Sequence, residues 1–223
     1  MPEDEVKLHF RFSRADILRL QNVLQIPNNI ITETRNNVNG TTALCILLKR
    51  LSYPGRLVDL QHFFNNYSPQ SLSQIIKTTA NFIMETHGHR LDNLNSHQWL
   101  NQNRFQLYAQ AIRNKGGAIP NCWRFIDGTV RPICRPSVQQ EQYYSGHKRV
   151  HCVKYQSVLC PDGLIVNLKG AFCGRRHDAG IFRDIDLYQQ LEEKAVFPNN
   201  EDYILYGDLY FVFSWPSSKF TAI

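Results

Sequence analysis

The sequence has no apolar run long enough to span a bilayer, no cysteine pair at C-x-x-C spacing, no internal repeat or low-complexity segment, and no glutamate after Asp208. The first absence excludes a membrane-spanning helix. The second, with six cysteines scattered at Cys45, Cys122, Cys134, Cys152, Cys160 and Cys173, argues against a zinc knuckle or a disulfide framework and predicts buried free thiols. The opening stretch MPEDEVKLHF is acidic where a secretory signal would be basic and then apolar, which predicts an intracellular chain.

What remains is an ordinary globular composition over 223 residues, enough for one large domain or two small ones. Lys and Arg number 25 against 19 acidic residues, with a pI near 9.0. That balance fits a polyanionic partner without demanding one.

The first 115 residues carry helix punctuation throughout. Ser13 and Asp16 stand at capping-box spacing before ILRLQNVL, with Pro27 past the end. After a polar loop, TTALCILLKRLS starts at a Thr41 or Thr42 cap and stops at Pro54-Gly55. A short helix, RLVDLQHFF, leads to Ser68-Pro69 and a longer helix with Leu72, Ile75, Ile76 and Ala80 on one face. This helix, turn, helix order would turn Gln70, Ser71, Ser73, Gln74, Lys77 and Thr78 outward, toward a DNA groove or toward plain solvent. A last helix, NRFQLYAQAIRN, ends at Gly116-Gly117.

Near residue 116 the periodicity changes to β-type. CWRFIDGTVRPICR, VHCVKYQSVLC and LIVNLKGAF read as strands, with a Pro161-Asp162-Gly163 turn between the last two; GRRHDAGIFRDIDLYQQLEEK reads as helix and EDYILYGDLYF as strand. Domains of 1–115 and 116–223 follow. Asp127 is the odd residue, because aspartate is poor in strands. The pair Asp127-Gly128 read alone is a hairpin turn. Asp178, at a helix start, and Asp208, after a glycine at a strand end, share its awkwardness. Carboxylates gathered at one sheet edge repel unless divalent cations neutralise them, and Mg²⁺ with its oxygen ligands suits such a set.

Together FIDGTVRPICRP, YYSGHKRVHCVKYQSVLCPDGLIV, GAFCGRRHDAGIFRDIDLYQQLE and YILYGDLY resemble the nuclease of PIF/Harbinger-type transposases and their domesticated relatives, over about residues 120–208. The resemblance implies an α+β chain, in which an all-helical, helix-turn-helix-like region precedes an RNase H-like mixed sheet of the DDE type. It assigns metal binding to Asp127, Asp178 and Asp208, with Asp127 and Asp208 catalytic on adjacent central strands. It implies a two-ion Mg²⁺ or Mn²⁺ site that hydrolyses DNA phosphodiesters. Lys148, Arg149, Arg175, Arg176 and Lys77 become the residues expected to hold DNA, with Lys154 and Arg183 nearby. A separate Myb/SANT-like DNA-binding partner and a nuclear location, with some cytoplasmic presence, are implied as well, and no membrane association.

A DDE nuclease needs a glutamate on a helix after the Asp208 strand, and LYFVFSWPSSKFTAI offers none, so a chain truncated before the catalytic Glu is expected. The alternative is a catalytically dead DNA-binding or scaffold protein of transposase descent. His147 and His151 are not a zinc pair, since four residues along a strand set them about 13 Å apart. Asp184, Asp186, Glu192 and Glu193 are expected on a solvated helix face.

Overall fold

The computed structural model describes residues 1–119, 121–194 and 204–207. It divides into two compact units, Met1–Gly88 and His89–Ile223.

In the N-terminal unit, local polar side chains start most of the helices. Helix α1 (Glu3–Phe10) has Glu3, Asp4 and Glu5 in its first turn, where the helix dipole favours negative charge. Helix α2 (Arg14–Val23) begins at the expected capping box: Ser13 Oγ accepts from Asp16 N at 3.1 Å, and the Asp16 carboxylate accepts from Ser13 N at 3.2 Å. Strands β1 (Asn29–Ile31) and β2 (Asn37–Asn39) form an antiparallel hairpin, with Ile30 opposite Val38. Helix α3 (Gly40–Ser52) starts at Asn39, whose side chain accepts from Thr41 N and Thr42 N, in place of the expected threonine cap. Helices α4 (Leu57–Phe63) and α5 (Pro69–His87) follow, the second capped by Ser68 with Pro69 at its first position, as expected.

The core of this unit is Val6, Phe10, Ile17, Ile30, Val38, Leu44, Ile46, Leu72 and Ile75 with their neighbours. The all-helical expectation is therefore corrected by the hairpin. Its strands have three residues each and one buried side chain apiece, too few to leave a periodic signal, and only packing against the helices makes them stable.

The C-terminal unit opens with α6 (His89–Asp92), a 3-10 turn (Leu94–Ser96) and α7 (Gln102–Asn114). Residue 116 lies inside this unit because α7 packs on the sheet, with Phe105 and Tyr108 buried against Trp123. Strand β3 (Cys122–Pro132) leads through α8 (Gln140–Tyr143) and β4 (Tyr144–Ser145) to β5 (Val150–Leu159) and β6 (Ile165–Cys173). Helices α9 (Asp178–Asp184) and α10 (Leu187–Lys194), broken at Ile185-Asp186 where one helix was expected, precede β7 (Ile204–Gly207).

Strand β5 pairs antiparallel with β3 on one side and with β6 and β4 on the other, while β7 pairs parallel with β3. The result is a mixed sheet within an α+β chain. Continuous β3–β5 register sends side chains alternately to two faces. Ile126 and Val158 point into a core with Phe105, Tyr108, Phe182, Leu187 and Val166, which defines a packed face. Phe125, Asp127, Leu159 and Ser157 occupy the opposite, more open face.

All six cysteines are free thiols, as expected, although Cys134 is exposed while Cys122, Cys152 and Cys160 are buried.

Candidate active site

Asp127 lies inside β3, opposite Ser157, so Asp127-Gly128 is not a hairpin turn. Its exposed carboxylate has no hydrogen bond or ion pair among the described residues. Gly128 points to the packed face, and what lies there explains the glycine. A Cβ at 128 would stand 3.0 Å from Cγ and Oδ2 of Asp178, tighter than nine in ten such contacts, so the carboxylate would have to give by a few tenths of an ångström. The bare glycine lets the first residue of α9 come close to the strand.

Asp178 is fixed there by Lys154, whose Nζ lies 3.1 Å from Asp178 Oδ1 and also donates to the Arg176 carbonyl at 2.7 Å. Both side chains are mostly buried, at 12% and 24% exposure. Lys154, which the sequence sets near the residues expected to hold DNA, is engaged here with a carboxylate. Gln156, opposite Gly128, is buried with neither amide atom hydrogen-bonded among the described residues. Strand alternation sends Asp127 to the opposite face from Asp178, one residue away along β3.

Asp208 lies outside the described residues, but the strand before it is clear. β7 runs parallel to β3 with Gly207 opposite Ile126, so the strands that the family resemblance makes neighbours do pair. Asp127 directly follows one member of that pair in sequence and Asp208 the other.

Residues 126–215 match the DDE superfamily endonuclease family. No curated protein and no solved structure matches the chain. The endonuclease match begins one residue before Asp127 and takes in Asp178 and Asp208, so the similarity to a transposase-like nuclease lies in the strands and helices from β3 onward.

DDE endonucleases use divalent metals. Carboxylate oxygens are the right donors for such a hard cation. Among the described residues no three His, Cys, Asp or Glu side chains come together as a metal cluster. Asp127 is an unengaged donor, and Asp178 already has a cation beside it in Lys154.

The residues expected to hold DNA differ in what they touch. Arg176 pairs with Asp184 and lies over Phe172, and Lys77 is 3.8 Å from Glu33. The side chains of Lys148, Arg149 and Arg175 are exposed and have no ion pair among the described residues. Asp186 pairs with Lys169, which also reaches Asp92, so Asp184 and Asp186 do more than face solvent. Glu192 and Glu193 have no described side chains. On α5, Gln70, Ser73 and Lys77 are exposed while Ser71, Gln74 and Thr78 are half-buried.

Sequence reasoning passed over one residue. Arg124, inside CWRFI, is fully buried, with all three guanidinium nitrogens lacking a hydrogen bond among the described residues and its Cζ 3.4 Å from the Trp123 ring centroid. Burial lowers its pKa from the ordinary arginine value to about 9. An arginine amid strand-forming residues was the available signal. Nearby, the Asp162 turn is more than a turn: its carboxylate accepts from Leu164 N at 3.1 Å and from the Tyr108 hydroxyl at 2.5 Å, tying the turn to α7.

Proposed function

We propose that this chain is a PIF/Harbinger-type, divalent-metal-dependent DNA endonuclease with an RNase H-like fold, working on nuclear DNA. The observation that carries the reading is the parallel β3–β7 register, Ile126 beside Gly207. It supports Asp127 and Asp208, which follow the two paired residues in sequence, as neighbouring ligands within the segment similar to DDE endonucleases. The strand arrangement, three antiparallel strands with a fourth parallel to the first, supports the RNase H-like assignment.

Asp178 is the third proposed ligand; it lies on the packed face beside Lys154, so sharing ions with Asp127 requires it to leave Lys154 and turn toward the open face. Bound Mg²⁺ or Mn²⁺ would supply a nucleophilic water and stabilise the leaving oxygen of a phosphodiester. Asp127 and Asp208 bind and orient; Asp178, set against Gly128, fixes the depth at which the strand segment sits. Exposed Lys148, Arg149 and Arg175 hold phosphates, with Arg176 once it leaves Asp184. Helix α5 with Lys77 acts as the second helix of a helix-turn-helix, and a Myb/SANT-like partner adds sequence recognition.

The test is nicking of supercoiled DNA by the chain with Mg²⁺ or Mn²⁺. The expected result is metal-dependent nicking that Asp127→Ala abolishes; nicking unchanged in that variant would sink the assignment. A second reading, a catalytically dead DNA-binding or scaffold protein of transposase descent, is favoured by the Lys154–Asp178 pair, which satisfies Asp178 without metal. DNA binding by wild type with no nicking in either metal would select it.

A further inference from the structure

A cavity of about 500 Å³ opens in the C-terminal unit, lined by Gln140, Glu141, Tyr144, Gly146, His151 and Arg175. Tyr144 is 41% exposed, yet its ring is braced edge-on by His151, with centroids 5.3 Å apart. Arg175 is set by its backbone. Its N–H donates to the Gln142 carbonyl at 3.0 Å, and the preceding Gly174 lies so close that a Cβ there would be 2.4 Å from the Tyr143 carbonyl oxygen and 2.6 Å from that of Cys152. The guanidinium itself is exposed and without an ion pair among the described residues; Lys148 and Arg149, two and three residues after Gly146 in sequence, are exposed and without ion pairs likewise. Gln140 Oε1 accepts from Arg135 Nε at 2.8 Å, which orients its amide nitrogen as a donor. Glu141 is the one anionic side chain in the lining.

We infer that this cavity takes an unpaired nucleotide of a DNA strand, with its base stacked on Tyr144 and its phosphates on Arg175, Lys148 and Arg149. The inference rests on the DNA-cleaving reading and deepens it. A braced aromatic ring beside unpaired cations is the chemistry that holds single strands without reading a duplex. The volume suits one nucleotide and is far too small for a double helix. Glu141 works against a bare anion and accepts from an exocyclic amine, so cytosine or adenine is favoured over thymine. His151 and Ser157, the partner of Asp127, lie on the same face of β5, six residues or about 20 Å apart. At 3.4 Å per stacked nucleotide, the unpaired one sits about six nucleotides from Asp127.

The test is fluorescence anisotropy of labelled oligodeoxycytidylate, oligodeoxythymidylate and a duplex, with the full chain in EDTA so that cleavage plays no part. Expected are tighter binding of cytidylate than thymidylate, about tenfold weaker binding of cytidylate by Tyr144→Ala, recovery in Tyr144→Trp, and duplex affinity within about twofold throughout. Glu141→Gln should narrow the gap between the two single strands. Wild-type single-strand affinity retained in both Tyr144→Ala and Arg175→Ala, equal losses for single strand and duplex, or no single-strand binding by wild type would each overturn the inference. Metal-dependent nicking by a chain whose Tyr144→Ala form binds normally removes the pocket and leaves the nuclease standing; single-strand binding through Tyr144 without nicking does the reverse.

Discussion

On the packed face of the C-terminal sheet, Lys154 lies 3.1 Å from Asp178, and Lys169 reaches Asp92 and Asp186 at 3.5 and 3.6 Å. On the open face, Asp127 and Arg131 are exposed and have no such partner among the described residues. The two faces share strands, register and solvent, so the contrast is one of use. Charges drawn into a packed layer must be paired, because an unpaired one loses its hydration without return. A bare carboxylate in the middle of a strand adds no stability, which is what the proposed role of Asp127 as a metal ligand leads one to expect.

That contrast can be broken by mutation. The largest effect is expected from Asp127→Ala: nicking falls at least about a hundredfold, since positioning and charge stabilisation carry phosphoryl transfer, while the unfolding midpoint barely moves. Asp178→Ala should show the opposite signature in denaturant titrations, a loss of about 2 kcal/mol, because it leaves the Lys154 ammonium half-buried and unpaired. If Asp127→Ala destabilises as much as Asp178→Ala, the two faces do not differ as argued.

Arg124 is the exception on the buried side, a guanidinium set against the Phe105 and Trp123 rings with no hydrogen bond among the described residues. Arg124→Met should stabilise the chain by about 1–2 kcal/mol at neutral pH, the gain from desolvation relief exceeding the lost cation–ring attraction. The pH dependence has a definite sign. With a folded pKa of about 9, below the ordinary arginine value, the unfolded state binds more protons above about pH 9, so wild-type stability rises with pH from there and the advantage of Arg124→Met shrinks.

The smallest effect, about 1 kcal/mol, is expected from Tyr108→Phe. Burial raises the Asp162 pKa, but the hydrogen bonds from Tyr108 and Leu164 outweigh it and hold the carboxyl below its ordinary value. A lowered carboxyl stabilises above its unfolded pKa and loses that contribution as pH falls through the folded value. Tyr108→Phe should therefore move acid unfolding to higher pH, measured by circular dichroism; an unchanged acid midpoint would remove the Tyr108–Asp162 tie.

Much was legible because it is written locally. Ser13 with Asp16 and Ser68 with Pro69 announce helix starts through bonds spanning three residues, and the strand runs around Phe125, Val158 and Val166 follow from composition and alternation. The ordered aspartates Asp127, Asp178 and Asp208 marked out the nuclease-like segment before any fold was known. What stayed hidden depends on distant residues. The β1–β2 hairpin is too short to signal itself. Lys154, Arg175 and Arg176 look alike in sequence, and only the packing of α9 beside the sheet gives Lys154 to Asp178 and Arg176 to Asp184 while leaving the Arg175 side chain without an ion pair among the described residues.

By itself, then, the sequence determined the order of helices and strands and the three acids that mark the candidate site, because capping, alternation and motif order are properties of neighbouring residues. The tertiary structure decided why Gly128 follows Asp127 and which cations are already engaged. It also decided that Tyr144, His151 and Arg175 share one cavity. Those outcomes turn on contacts between segments far apart in the chain, which only the paired strands and the helices packed on them bring within reach.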